Sequence, residues 1–222
     1  MKFPSLREMG VAATDAIKRF PLVMISALYV AVTTWTVIDE ADIVDPGHVM
    51  AGVLGIGTFL AIALFAERRS SRSLRWILAT IAAVLLVIYG VWLGDKPEHN
   101  LTEVYRFALL FLAVHLFVSF AGFIRSGGIF RFWEFNKTLF LRLLLSALFS
   151  GVLFGGLAVA MVAVDQLLLD GIIDVKAYPK LFVLVGTIFN TLFFLAGIPR
   201  LDSETVERDE ESIVEREEET VP

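Results

Sequence analysis

Six separate stretches of eighteen or more residues contain no Asp or Glu: Pro21 to Ile38, Val49 to Ala66, Trp76 to Leu93, Val104 to Ile124, Leu139 to Val164 and Leu181 to Ile198. A helix rises about 1.5 Å per residue, so each run is long enough to cross, or nearly cross, a hydrocarbon layer of roughly 30 Å. Backbone in lipid must satisfy its own hydrogen bonds, which favours helix for every run. The expected fold is therefore all-α, a polytopic integral membrane protein with six transmembrane helices. A chain that is 57% hydrophobic with nineteen Phe could hardly cover a water-soluble core with polar surface.

Lys18 and Arg19 precede the first run, as in a signal peptide, but the run ends in "TTWTVIDEAD" without a small-x-small cleavage site. It reads as a retained span. Lys and Arg then orient the bundle. Fifteen fall on the side of the N-terminal arm, the second-to-third and fourth-to-fifth connections and the tail, and four on the other side. The positive-inside rule places both termini in the cytoplasm of a cell with an inner membrane. The opposite face is acidic, with Asp39, Glu40, Asp42 and Asp45 in its first loop. Cysteine is absent, which removes disulfides, thiolate metal sites and cysteine nucleophiles together.

Three regions follow. Residues 1–20 place Leu6, Met9, Ala13, Ile17 and Phe20 on one stripe, the pattern of an interfacial amphipathic helix lying on the cytoplasmic leaflet. Residues 21–199 form the six-helix bundle. Residues 200–222 hold ten Asp or Glu against three Arg, too polar to fold alone, and read as an acidic cytoplasmic tail or linker. That segment accounts for the formal charge of -5. The outer connection from Asp165 to Lys180 is amphiphilic and suits a short interfacial helix ended near Gly171.

The stretch "RFWEFNKTLFLRLL", residues 131–144, interleaves rings and charges at the mouth of the fifth run. As a helix it aligns Arg131, Glu134, Thr138 and Arg142. Its commonest meaning is a belt in which Trp133 sits at headgroup level and Arg142 snorkels to water. The sharper meaning is a contact for an anionic headgroup or a cytoplasmic partner, built from Arg131, Trp133, Lys137 and Arg142. Further down, Ser146, Ser150, Gly151 and Gly155 form a band of small residues, expected as a buried helix seam. A second band, Ala51, Gly55 and Thr58, is broken by Ile62 and is expected to matter less.

His115 lies near the bilayer midplane, where polar groups are costly and usually face protein. Asn190 sits at a similar depth, so a contact between them is geometrically possible, with Ser150 as the third member of an intramembrane polar cluster. Such a cluster serves most often as interhelical glue. Catalytic signatures are missing: there is no HExxH, phosphate loop, Gly-x-Ser-x-Gly elbow or pair of intramembrane carboxylates. No enzyme, cofactor, metal or nucleic-acid partner is expected.

The stretches "HLFVSFAGFI", "FWEFNKTLFLRLLLSALFSGVLFGGLAVAMVAVDQLL" and "FNTLFFLAGIP" together resemble a bacterial family of multi-pass membrane proteins, domain of unknown function 4153. The resemblance is strongest from Leu112 to Pro199. It rests on Phe132, Trp133, Asn136, Lys137, Leu141 and Arg142, then Ser150, Gly151 and Gly156, then Phe189, Asn190 and Pro199. The resemblance implies no reaction. Its members usually continue into further hydrophobic segments, which implies a short protein here or the N-terminal portion of a longer one. The leading expectation is a non-enzymatic interaction or regulatory module, in contact with membrane lipids and offering its acidic segment to a protein partner. The rival is a transporter or channel component with a polar path through His115, Asn190 and Ser150.

Overall fold

The computed structural model describes residues 6–39, 45–69, 71–94, 101–124, 128–169 and 173–199. The acidic segment 200–222, Glu40, Asp42, His99 and the expected helix stop at Gly171 lie outside them. Among the described residues every regular element is helical: α1 (Leu6–Arg19), α2 (Pro21–Ile38), α3 (Pro46–Arg68), α4 (Arg72–Gly94), α5 (Leu101–Ala121), α6 (Ile129–Val164), α7 (Ala177–Val183) and α8 (Asn190–Ala196). A π-helical turn, Asp165–Leu169, prolongs α6, and a second, Leu184–Phe189, joins α7 to α8 into one span, Ala177–Ala196. Six helices are long and apolar enough to cross a membrane.

Proline and capping chemistry set several boundaries. Pro21 and Pro46 stand in the first turns of α2 and α3, where a missing N–H costs nothing. The Asp45 carboxylate caps α3 by accepting from Gly47 N at 2.6 Å. Ser71 Oγ accepts from Leu74 N at the start of α4.

The bundle is built around α3, which packs on α2, α4 and α5. Glycines let those neighbours close in, each on a different side. A Cβ at Gly52 would stand 2.7 Å from Val30 Cγ2 of α2, one at Gly57 2.5 Å from Val114 Cγ1 of α5, and one at Gly47 3.0 Å from Leu93 Cβ of α4. At Gly55 the obstructing atom is Ser26 Oγ, whose hydroxyl donates to Gly52 O at 2.9 Å. The helix seam therefore lies in the second span. The fifth-span band divides instead: Ser146 and Ser150 are buried, but Gly151, Gly155 and Gly156 face open space. The cause is rotation about α6: Ser150 and Phe154 meet Asn190 and Phe182 of the sixth span, while Gly151 and Gly155, the next residue on from each, are turned to another face.

The first arm is a helix, and of the expected stripe Phe20 is buried and Ala13 half-buried. Ala16 and Phe20 enter the main core with Leu60, Leu64, Leu195 and Ile198, while Ile17 is exposed. The fifth span, α6, starts at Ile129, so "RFWEFNKTLF" is a continuous part of it. At about 1.5 Å per residue its 36 residues extend about 54 Å, well beyond one hydrocarbon layer. The amphiphilic connection after α6 opens as the π-helical prolongation rather than as a separate helix, and Asp165 Oδ1 accepts from Ile173 N at 2.8 Å.

Candidate functional site

The sixth span contains the polar pair closest to chemistry. Its π-helical turn ends at Phe189, and Asn190 opens α8. Widened turns of this kind leave backbone positions out of the usual ladder and recur at functional sites. Ser150 of α6 is buried and donates from Oγ to Asn190 Oδ1 at 3.2 Å. Thr187 satisfies itself by donating to Val183 O at 2.6 Å, and Thr191 is buried. Two of the three expected cluster members thus meet.

His115 stands elsewhere. It is exposed on α5, its Nδ1 lies 3.1 Å from Phe111 O, and its ring centroid is 4.1 Å from that of Phe111. α5 packs chiefly on α3, and α6 on the sixth span, so His115 and Asn190 belong to different helix pairs. α5 and α6 meet near their connection, through the edge-on rings of Phe123 and Phe132 and through Asn136 Nδ2, which donates to Ser119 O at 3.1 Å. His115 lies one turn before Ser119, and it meets Phe111 and Ser119 of α5 itself.

Of the four expected headgroup or partner contacts, Trp133, Lys137 and Arg142 are exposed, and Arg131 is half-buried. Arg142 has a contact that periodicity did not suggest. Its side chain lies across Gly197, where a Cβ would come 2.5 Å from Cδ and 2.7 Å from Nε. The guanidinium is thereby held at the C-terminus of α8, the negative end of the helix dipole.

Arg19 completes that end of the molecule. Its Nη2 lies 2.9 Å from Glu67 Oε2 and its Nε 3.1 Å from Oε1, a two-pronged pair. The same guanidinium donates to Ile198 O and Pro199 O, each at 2.7 Å. Arg75 Nη2 in turn donates to Arg19 O at 2.6 Å. One side chain therefore ties α1, α3 and the end of α8 together, while α4 holds its backbone.

The opposite end carries two further polar groupings. Lys180 pairs with Asp39 and lies 5.2 Å from the Trp35 ring centroid. Buried Glu103 accepts from Arg106 Nη1 at 3.1 Å, near the Trp92 ring. Neither the Arg19–Glu67 pair nor the Lys180–Asp39 pair was singled out from sequence. A signal was available for the first: Glu67 adjoins an acid-free run, at Ala66. Among the described residues no group of three or more His, Asp or Glu stands close enough to share a metal ion.

A family model described as Domain of unknown function (DUF4153) matches residues 17–218. No curated protein and no solved structure matches the chain.

Proposed function

The chain is a member of the DUF4153 family, and from its own geometry we propose that it is a non-enzymatic interaction or regulatory module of a bacterial inner membrane, with both termini in the cytoplasm. The flank formed by α5 and α6 carries this reading. His115 is exposed on α5 near the middle of its span, and Gly151 and Gly155 of α6 face open space. Polar groups at that depth usually face protein, and small residues let a neighbouring helix approach closely. The flank is suited to a transmembrane helix of another protein. The basic junctions then rest on anionic lipid, and the acidic segment is available to a partner in the cytoplasm.

Purification in mild detergent tests the reading. A membrane protein in fixed stoichiometry should accompany the wild type and be lost with Gly151→Leu, while the melting temperature stays unchanged. A chain that neither co-purifies with nor cross-links from Leu112 to any protein in native membranes would refute it.

A transporter or channel component is the second reading, favoured by the π-helical turn beside Asn190 and its bond to Ser150. Solute or proton flux in proteoliposomes that vanishes with Asn190→Leu in a folded bundle would replace the first reading with this one.

A further inference from the structure

α4 and α5 both pack on α3, and near the outer end they approach each other, with Arg106 Cζ 6.0 Å from the Trp92 ring centroid. Toward the Arg19 end they part. The gap is a groove of about 570 Å³, with Ile62 and Phe65 of α3 as its floor, Leu78 and Leu85 of α4 on one wall and Phe117 of α5 on the other. Arg69 also lines it, just past the last turn of α3. The walls lie within membrane-spanning helices and Leu85 is 61% exposed, so the groove opens sideways into the hydrocarbon layer.

Arg69 is set for an anion. Its Cζ stands 4.4 Å from the Phe65 ring centroid, a cation–π contact that steadies the guanidinium at the groove. Among the described residues it meets no carboxylate. Arg72, three residues on at the start of α4, is a second positive charge at this end of the helix. An apolar slot inside the bilayer with a fixed cation at its interfacial end complements a molecule with an apolar tail and an anionic head.

We infer that this groove binds one anionic phospholipid, its acyl chain between α4 and α5 and its phosphate on Arg69. A planar guanidinium can grip two phosphate oxygens at once, which an ammonium does less well. The site is distinct from the α5–α6 flank, so its lipid can be lost with partner binding intact and the two readings fail separately.

Native mass spectrometry of the purified full chain tests it. Delipidated protein is offered phosphatidylglycerol or phosphatidylcholine of identical acyl chains, and sn-glycerol 3-phosphate as a head without tails. The wild type should retain one phosphatidylglycerol in preference to phosphatidylcholine, and glycerol phosphate should not displace it. Arg69→Ala should reduce that preference about five-fold, the scale set by one basic residue at an anionic surface. Arg69→Lys should fall between, and Lys176→Ala, at the opposite end of the molecule, should change nothing. Leu85→Trp, which fills the slot from its open side, should weaken retention of both lipids with melting unchanged. If Arg69→Ala does not fold, Arg69→Lys and Leu85→Trp decide the matter. An unchanged preference in the Arg69 variants, full retention in Leu85→Trp, equal loss in Lys176→Ala or displacement by glycerol phosphate would each overturn the inference.

Discussion

Arg19 and Glu67 are separated by 48 positions in the chain and meet at 2.9 Å, and the same Arg19 nitrogen donates to Pro199 O at 2.7 Å. A planar fork is needed to serve a carboxylate and two carbonyls together. Arg19→Ala leaves all three acceptors short of a donor. Because the pair is about one-fifth exposed, the loss is expected at about 2 kcal/mol rather than the full cost of a buried pair. Arg19→Lys should recover part of it. Thermal melting in detergent measures both.

The Ser150 to Asn190 bond joins the fifth and sixth spans, and bonds of this kind in membrane bundles contribute about 0.6 kcal/mol on average. Ser150→Ala, Asn190→Leu and the double variant form a cycle. The coupling should be of that size, with the double variant less destabilised than the two single changes combined. Additive effects would mean that the bond contributes nothing.

Glycine substitutions separate the packed seam from the open band. Gly52→Ala and Gly57→Ala should destabilise by about 1 to 3 kcal/mol, because their neighbours on α2 and α5 must move. Gly151→Ala and Gly155→Ala should be neutral or slightly stabilising in the isolated chain, since alanine is the better helix former. Gly197→Ala should displace the Arg142 side chain, which is exposed and can swing aside, at a smaller cost than the first pair. Melting curves of the five variants give the ranking.

For His115 the expectation follows from its exposure. His115→Leu and His115→Gln should both melt within about 0.5 kcal/mol of the wild type, as surface substitutions do. Partner retention should fall with His115→Leu. A large loss of melting temperature would mean that the ring is packed against protein within the chain itself.

Topology is open to direct labelling because the chain has no cysteine of its own. Single cysteines at Ser71 and Gly128 should react only after the membrane is permeabilised, and one at Asp174 should react in intact cells. Reaction of the Ser71 position from outside would invert the arrangement.

The spans were legible because their signal is additive. The sequence bounds of the first span, Pro21 to Ile38, coincide with α2, and the other runs fall on the remaining spans to within a turn or two, apart from the early start of α6. A transfer free energy summed over eighteen residues tolerates local exceptions. Rotation of a helix about its axis is not of that kind. "GVLFG" in the fifth span has the small-residue spacing, yet its glycines face away from any neighbour, and Gly55, interrupted on its face by Ile62, lies in the tight contact. Which face is buried depends on where five other helices stand. Likewise His115 and Asn190 share a depth, which hydropathy gives, but not a helix pair, which it does not. The Arg19 junction was hidden because arginine enters topology as a count of charges, whereas here its geometry selects one carboxylate and two carbonyls.

The Arg19 junction also imposes an order in time. Its partners Ile198 and Pro199 are 179 and 180 positions downstream, and synthesis at about 5 to 20 residues per second delivers them about 10 to 35 s after Arg19 itself. Glu67 is made earlier, only 48 positions after Arg19. The carbonyl bonds can close only when the sixth span has been threaded to its end. A nascent chain that stalls or misinserts there keeps its N-terminal helix pair unlocked, and the same residue that secures the finished bundle distinguishes it from an unfinished one.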